Sequence, residues 1–178
     1  MMMDIDSGKV LNVSAIHVNS FNNCLDYTIP NIIHSYNPFV VNINTESLHL
    51  NATIVFGDVS YGKPGQVIDG VFRPIYPNMA RNMNDSYLAE LRCKYTFVIR
   101  DGNNVIFTSP GNADLLMAQI PIMIGCKYCN LAGMNERDLA EIGEDPTETG
   151  SYFMIKGLDY IIIPQENKIK NIVYRNVV

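Results

Sequence analysis

Basic residues are scarce in this chain. Thirteen Lys and Arg stand against eighteen Asp and Glu, a formal net charge of -5, so no overall field draws it toward a phosphate backbone. Autonomous DNA binding is not expected, and any nucleic-acid contact has to come from a local basic face or from partner chains. Long hydrophobic runs are also missing: no stretch reaches the roughly 18 apolar residues of a membrane-spanning helix, so no membrane partner is expected. The start, MMMDIDSGKV, lacks the basic segment, apolar stretch and small-residue cleavage site of a secretory signal, which points to an intracellular location. Cysteine is sparse. Cys24, Cys93, Cys126 and Cys129 are too few for a disulfide scaffold at this length and read as free thiols. The catalytic signatures are absent too: no Gly-x-Ser-x-Gly, no Cys with a neighbouring His, no phosphate loop followed by Lys and Ser/Thr, no Asp cluster spaced for magnesium. The chain offers no self-contained catalytic centre.

What the sequence does hold is apolar residues, 47% of 178, enough for one domain with its own core. Residues 1–13 are expected to be weakly ordered and 14–178 to form the domain. Between Ser14 and Tyr36, the residues Val18, Phe21, Leu25, Ile29, Ile32, Ile33 and Tyr36 recur at spacings of three and four, one stripe of helix. Pro30 interrupts it, predicting two short helices that meet near Tyr27 to Pro30 and cover a sheet. In SLHLNATIVF, Leu48, Leu50, Ala52, Ile54 and Phe56 alternate as in a strand with one buried face. Three glycines and three prolines in YGKPGQVIDGVFRPIYPNMAR predict a long irregular loop. LRCKYTFVIRDGNNVIFT reads as a hairpin turning at Asp101 to Asn104, with Arg92, Lys94 and Arg100 on the solvent face. An apolar run at Ala118 to Ile124 follows. NERDLAEIG then predicts a short helix capped by Asn135 and stopped by Gly143.

GSYFMIKGLDYIIIPQEN, residues 150–167, reads as two strands, Tyr152 to Lys156 and Tyr160 to Gln165, joined by Gly157, Leu158 and Asp159. The second is apolar on both faces and is expected to be buried on both sides. Pro164 ends the ladder and leaves Gln165, Glu166 and Asn167 displayed at a strand end. The order of elements gives an α+β class, a mixed sheet with a few short covering helices.

Two groups carry the spacing of chemistry. Cys126 and Cys129 form a Cys-x-x-Cys pair, but a tetrahedral zinc needs two further ligands from Cys24, Cys93, His17, His34 or His49, and two ordinary thiols are the better reading. Glu141, Glu144, Asp145 and Glu148 are candidates for an acid and base pair, but nothing apolar near them in sequence separates their pKa values. A solvated helix end is the better reading.

Five segments, in order, resemble the N-terminal region of the second-largest, beta-like subunit of multisubunit DNA-directed RNA polymerases. HVNSFNNCLDYTIPNII resembles that family's His-x-x-Ser-Phe-Asn helix, and YGKP its Lys-Pro loop. YPNMARNMNDSYLAEL is similar to its Tyr-Pro-x-x-Ala-Arg segment at Tyr76, Pro77, Ala80, Arg81, Asn84, Tyr87 and Leu91. IPIMIGCKYCNL matches at Pro121, Ile122, Met123, Lys127 and Cys129, and GSYFMIKGLDYIIIPQEN resembles its Gly-Gly-Tyr-Phe strand and the apolar strand that ends in Gln-Glu. EIGEDPTETGSYF is similar to versions from large nucleocytoplasmic DNA viruses. Two departures stand out: Tyr160 and Met83 occupy positions where the family commonly carries a basic residue.

The resemblance implies a protrusion-like domain, incomplete without a later segment, that forms one wall of the cleft for DNA and the RNA–DNA hybrid. It implies a noncatalytic part of a nucleotidyltransferase, with no cofactor on this chain and magnesium held by the largest subunit. Partners would be the other polymerase subunits, above all the remainder of the second-largest subunit and the largest one. If the chain is viral, its place would be host cytoplasm or nucleus, and the virion. Gln165 matches the family's strand-end Gln, with Ile163, Pro164 and Asn167 beside it. Arg81 lies in a matched motif, and Lys168, Lys170 and Arg175 are candidates for backbone contacts on charge and proximity. An alternative is an interaction or scaffold protein that kept the fold outside transcription.

Overall fold

The helical stripe expected between Ser14 and Tyr36 forms, but not as two helices broken at Pro30. In a computed structural model that describes residues 13–45, 48–110, 113–163 and 165, α1 (Val13–Asn23) runs into a π-helical turn (Cys24–Thr28) and on into α2 (Ile29–Ser35) without a break. The wider turn is how the chain passes its proline. The Ile29 N–H bonds back five residues to the Cys24 carbonyl. Pro30 has no N–H to offer Leu25, and the Leu25 carbonyl instead accepts the Tyr61 hydroxyl at 2.6 Å. Burial pushes that hydroxyl up to about 12, so it stays a donor through the neutral range.

The main sheet holds β1 (Phe39–Thr45), β2 (Leu48–Tyr61), β5 (Leu88–Asp101), β6 (Asn104–Thr108) and β7 (Ala113–Pro121). Its order is β1-β2-β5, and β6 and β7 then lie end to end along the far edge of β5. The α+β class is as expected, and every pairing among the described strands is antiparallel. β5 and β6 turn at Asp101 to Asn104 as read from sequence.

The stretch expected to be an irregular loop is ordered. It contains a hairpin, β3 (Gly65–Ile68) with β4 (Val71–Pro74), and the short helix α3 (Pro77–Asn82). Asp69 and Gly70 both take positive φ, 53° and 78°, the turn that Asp-Gly favours between apolar strands. After α3, Asn84 at φ 52° closes a Schellman motif, in which the Asp85 N–H reaches the Ala80 carbonyl at 2.9 Å.

Helix α4 (Glu136–Glu141) is as expected. The Asn135 side chain accepts the Arg137 and Asp138 N–H groups, and Gly143 ends the helix at φ 79°. Asn135→Ala is expected to cost about 1 kcal/mol in urea unfolding.

The core sits at one end of the sheet. Ala89, Leu91 and Cys93 of β5 are buried on one face, and Tyr87 just before them; Ile122, Met123, Ile124, Cys126 and Cys129 close over them. Leu25 enters from the π turn, and Phe21 meets Phe153 edge to face at 5.2 Å. Each large aliphatic residue buried there contributes about 1.5–3 kcal/mol. Among the described helices α2 lies beside β2, while α1 packs on the core end, so the expected helical cover of the sheet is partial. At the other end, Phe39, Val40, Val41 and Ile43 of β1 and Val105, Ile106 and Phe107 of β6 are exposed.

The last two strands differ from expectation. β8 is Phe153–Ile155 and β9 is Leu158–Tyr160, joined by Lys156 and Gly157. β9 is exposed throughout, and Ile161, Ile162 and Ile163 beyond it are 67, 61 and 72% exposed. The apolar run is therefore not a strand buried on both sides. Such a run is buried only where a layer lies on each face, and β8 and β9 form a separate two-stranded ribbon.

Candidate nucleic-acid interface

Arg81 lies in the last turn of α3, and its surroundings are set by the loop before β8 and by β9. Its Nη2 donates to both carboxylate oxygens of Asp159, at 3.1 and 3.2 Å, and to the Tyr152 hydroxyl at 3.3 Å. The Tyr152 hydroxyl donates in turn to Glu148 Oε2 at 2.8 Å, whose other oxygen accepts the Gly150 N–H. Burial works against the Arg81 charge, but the hydrogen bonds to Tyr152 and Asp159 outweigh it and hold the guanidinium above its usual range. Burial and the Glu148 carboxylate push the Tyr152 hydroxyl up.

The carboxylates read as a solvated helix end are not all in solvent. Glu144 is buried, and its Oε1 accepts the Asn78 N–H at 2.7 Å. Tyr76, at the N-cap of α3, makes no side-chain cap, so Glu144 supplies the acceptor that the open first turn needs. A helix starting after a tyrosine, with no local Ser, Thr, Asp or Asn to cap it, was the available clue.

Burial raises the Glu144 pKa above its ordinary 4.5, against the pull of the Asn78 N–H. The folded chain then binds this proton more tightly than the unfolded one. The stability linked to it is fully present below about pH 4.5 and is lost as pH rises through the folded value. Glu144→Gln, which keeps an acceptor for Asn78 without a charge, is expected to remove that part of the pH dependence. Thermal melts of both proteins from pH 4 to 7 check it.

Two of the three candidate cations of the sheet are engaged, and the third, Arg100, is exposed. Arg92 bonds Glu90 at 2.8 Å and Asp114 at 2.7 Å, and Lys94 lies 3.6 Å from Asp58. Lys127, a matched position, is ion-paired with Asp26 and sits 4.9 Å over the Tyr128 ring. Burial pushes the Cys126 thiol up to about 11, and Cys129 is buried against the Tyr87 hydroxyl at 3.4 Å. Among the described residues, no three His, Cys, Asp or Glu side chains are grouped to hold a metal ion.

Of the proposed channel residues, Ile163 and Gln165 are exposed, and Arg81 is 39% exposed and paired. Pro164, Asn167, Lys168, Lys170 and Arg175 lie outside the described residues. The structure does not bring Arg81 and Gln165 into contact; it connects Arg81 to β9, which leads toward Gln165. Most other matched motif residues are core: Pro77, Ala80, Tyr87, Leu91, Ile122, Met123 and Cys129 are all buried.

A family model described as RNA polymerase beta subunit matches residues 12–172. The chain belongs to that family. It is 32% identical over 150 residues to DNA-directed RNA polymerase subunit Rpo2N of Methanocaldococcus jannaschii, covering 78% of this chain and 30% of that protein. It is 34% identical over 126 residues to DNA-directed RNA polymerase II subunit 2 of Arabidopsis thaliana, covering 68% of this chain and 10% of that one. With DNA-directed RNA polymerase II subunit RPB2 of Eremothecium gossypii the identity is 28% over 177 residues, covering 88% and 14%. The chain thus spans about a third or less of the beta-family relatives it matches. The buried motif residues serve the core of the domain.

Proposed function

We propose that this chain is the protrusion-forming, noncatalytic N-terminal part of the second-largest subunit of a DNA-directed RNA polymerase. The observation that carries this reading is the family match over residues 12–172, nearly the whole chain. In this reading the domain forms one wall of the cleft that holds DNA and the RNA–DNA hybrid. The segment with Ile163, Pro164, Gln165 and Asn167 faces the nucleic acid, and Lys168, Lys170 and Arg175 follow it along the backbone. Nucleotidyl transfer and its magnesium belong to the largest subunit. The remainder of the second-largest subunit meets the apolar side chains left exposed on β1 and on β6, at the two edges of the sheet, since exposed apolar patches mark interaction sites. The likeness of EIGEDPTETGSYF to viral versions supports an origin in a large DNA virus.

Purification of a tagged chain from cells that express it tests the proposal. Recovery with the largest subunit and with RNA-synthesising activity is expected; recovery as a lone monomer or homodimer under mild conditions would overturn it. That second outcome is the signature of an interaction protein that kept the fold. The net charge of -5 and the pairing of Arg81 with Asp159 favour this alternative.

A further inference from the structure

The ribbon of β8 and β9 is fastened to the fold at its turn. The Lys156 N–H donates to Ser86 Oγ at 3.0 Å and the Gly157 N–H to the Asp85 carbonyl at 2.9 Å. Gly157 sits at φ 73°, and a Cβ there would lie 2.9 Å from the Asn84 Cα, so the turn rests directly on the chain leaving α3. Beyond the turn the attachment thins. β9 is exposed, and among the described residues Asp159 is its one side chain that bonds back to the fold, through Arg81. Arg81 is itself held by Tyr152, and Tyr152 by Glu148. The direction in which Ile161 to Ile163 leave the domain is therefore set by the pairing of β9 with β8, by the Gly157 turn and by the Arg81–Asp159 pair, the one side-chain tie among them.

We infer that Arg81 is a positioning residue, which through Asp159 aims the Ile161 to Ile163 segment that leads to Gln165, and is not a phosphate contact. The inference rests on the proposed placement of that segment beside nucleic acid. The guanidinium charge is met by the Asp159 carboxylate, both of whose oxygens accept from Nη2, so an approaching phosphate would meet a pair with no net charge. A pair of this exposure adds little to global stability. Its effect is felt locally, in β9, which is otherwise held by its pairing with β8 and by the Gly157 turn.

Hydrogen exchange on the whole chain tests the tie. Arg81→Gln and Asp159→Asn are each expected to speed exchange at residues 158–160 roughly three- to tenfold. The amides of Tyr87 and Ile122 in the core should not move. Arg81→Lys should restore part of the protection, and the double variant R81Q/D159N should be no worse than either single change, as for two partners in one interaction. Unchanged exchange at 158–160, or additive effects, would overturn the inference.

In the assembled polymerase, a photo-crosslinking residue at position 165 and the salt dependence of nucleic-acid binding supply the second arm. Arg81→Gln should spread the crosslinks along the nucleic acid and leave the slope of log K against log salt unchanged. A slope reduced by about 1 would identify Arg81 as a phosphate contact and overturn the positioning role. Absence of any crosslink from position 165 with Arg81 intact would overturn the placement of the segment and the positioning role with it, while the exchange result would still report the tie.

Discussion

Gly150→Ala is expected to destabilise the chain by about 3 kcal/mol or more, lowering its melting midpoint by roughly 6–12 °C. Two costs add. The residue sits at φ 71°, where an L side chain is strained by about 1 kcal/mol. A Cβ there would also lie 2.8 Å from the Ile124 carbonyl carbon and closer still to its oxygen. Neither neighbour can move aside. The Ile124 carbonyl accepts the Ser151 N–H at 2.9 Å, and the Ile124 N–H donates to the Tyr152 carbonyl at 2.9 Å, so the two backbones are locked in contact. Gly133 is the control: its φ is 84°, but nothing lies within 4 Å of its would-be Cβ. Gly133→Ala should therefore cost only the conformational part, about 1 kcal/mol. Urea unfolding of both variants separates the terms, and equal losses would show that contact with Ile124 plays no part.

The elements legible in the sequence are those whose signal is local. The alternation in β2 and β5, the turn between Asp101 and Asn104, and the Asn135 cap with its Gly143 stop each lie within a dozen residues. The hairpin of β3 and β4 was legible too, because Asp69-Gly70 lies between Val67-Ile68 and Val71-Phe72. It was hidden by the prolines around it, which fall at Pro64, before the hairpin, and Pro74, at its last position. Pro30 misled for a different reason. A proline inside a helix is tolerated when the turn widens and a distant donor takes the stranded carbonyl, and Tyr61 lies 36 residues from the Leu25 carbonyl it serves.

The candidate site was legible only as far as the family likeness carried it. Arg81 could be singled out, but its partners Asp159 and Tyr152 lie more than 70 residues away, and no periodicity links positions so far apart. The run Tyr160 to Ile163 read as buried because sequence gives hydrophobicity without giving the layer that would cover it. In the structure those isoleucines lie open. The same limit applied to Glu144, whose burial depends on α3 packing near the end of α4.

Tyr87→Ala is expected to cost at least 3–5 kcal/mol, a large part of the 5–15 kcal/mol by which a domain is stable, whereas Tyr87→Phe should cost about 1–3 kcal/mol. Tyr87 is fully buried, and its main chain bridges two segments: its N–H donates to the Met154 carbonyl at 2.9 Å and its carbonyl accepts the Ile122 N–H at 3.0 Å. Those bonds survive either substitution. The hydroxyl accepts the Asn130 N–H at 2.8 Å, and the Asn130 side chain donates at 2.7 Å to the carbonyls of Pro64 and Ile75, on either side of the β3 and β4 hairpin. Phenylalanine keeps the ring in the core and leaves one part-buried N–H without its acceptor; alanine adds the cavity. Burial keeps the Tyr87 hydroxyl far above its usual range, so the loss on Tyr87→Phe relative to the unsubstituted chain should not vary between pH 6 and 9. Urea unfolding at both pH values checks this. If phenylalanine proves neutral, Asn130 has found another acceptor, and the hydroxyl is not what ties the Cys126 to Asn130 loop to the core.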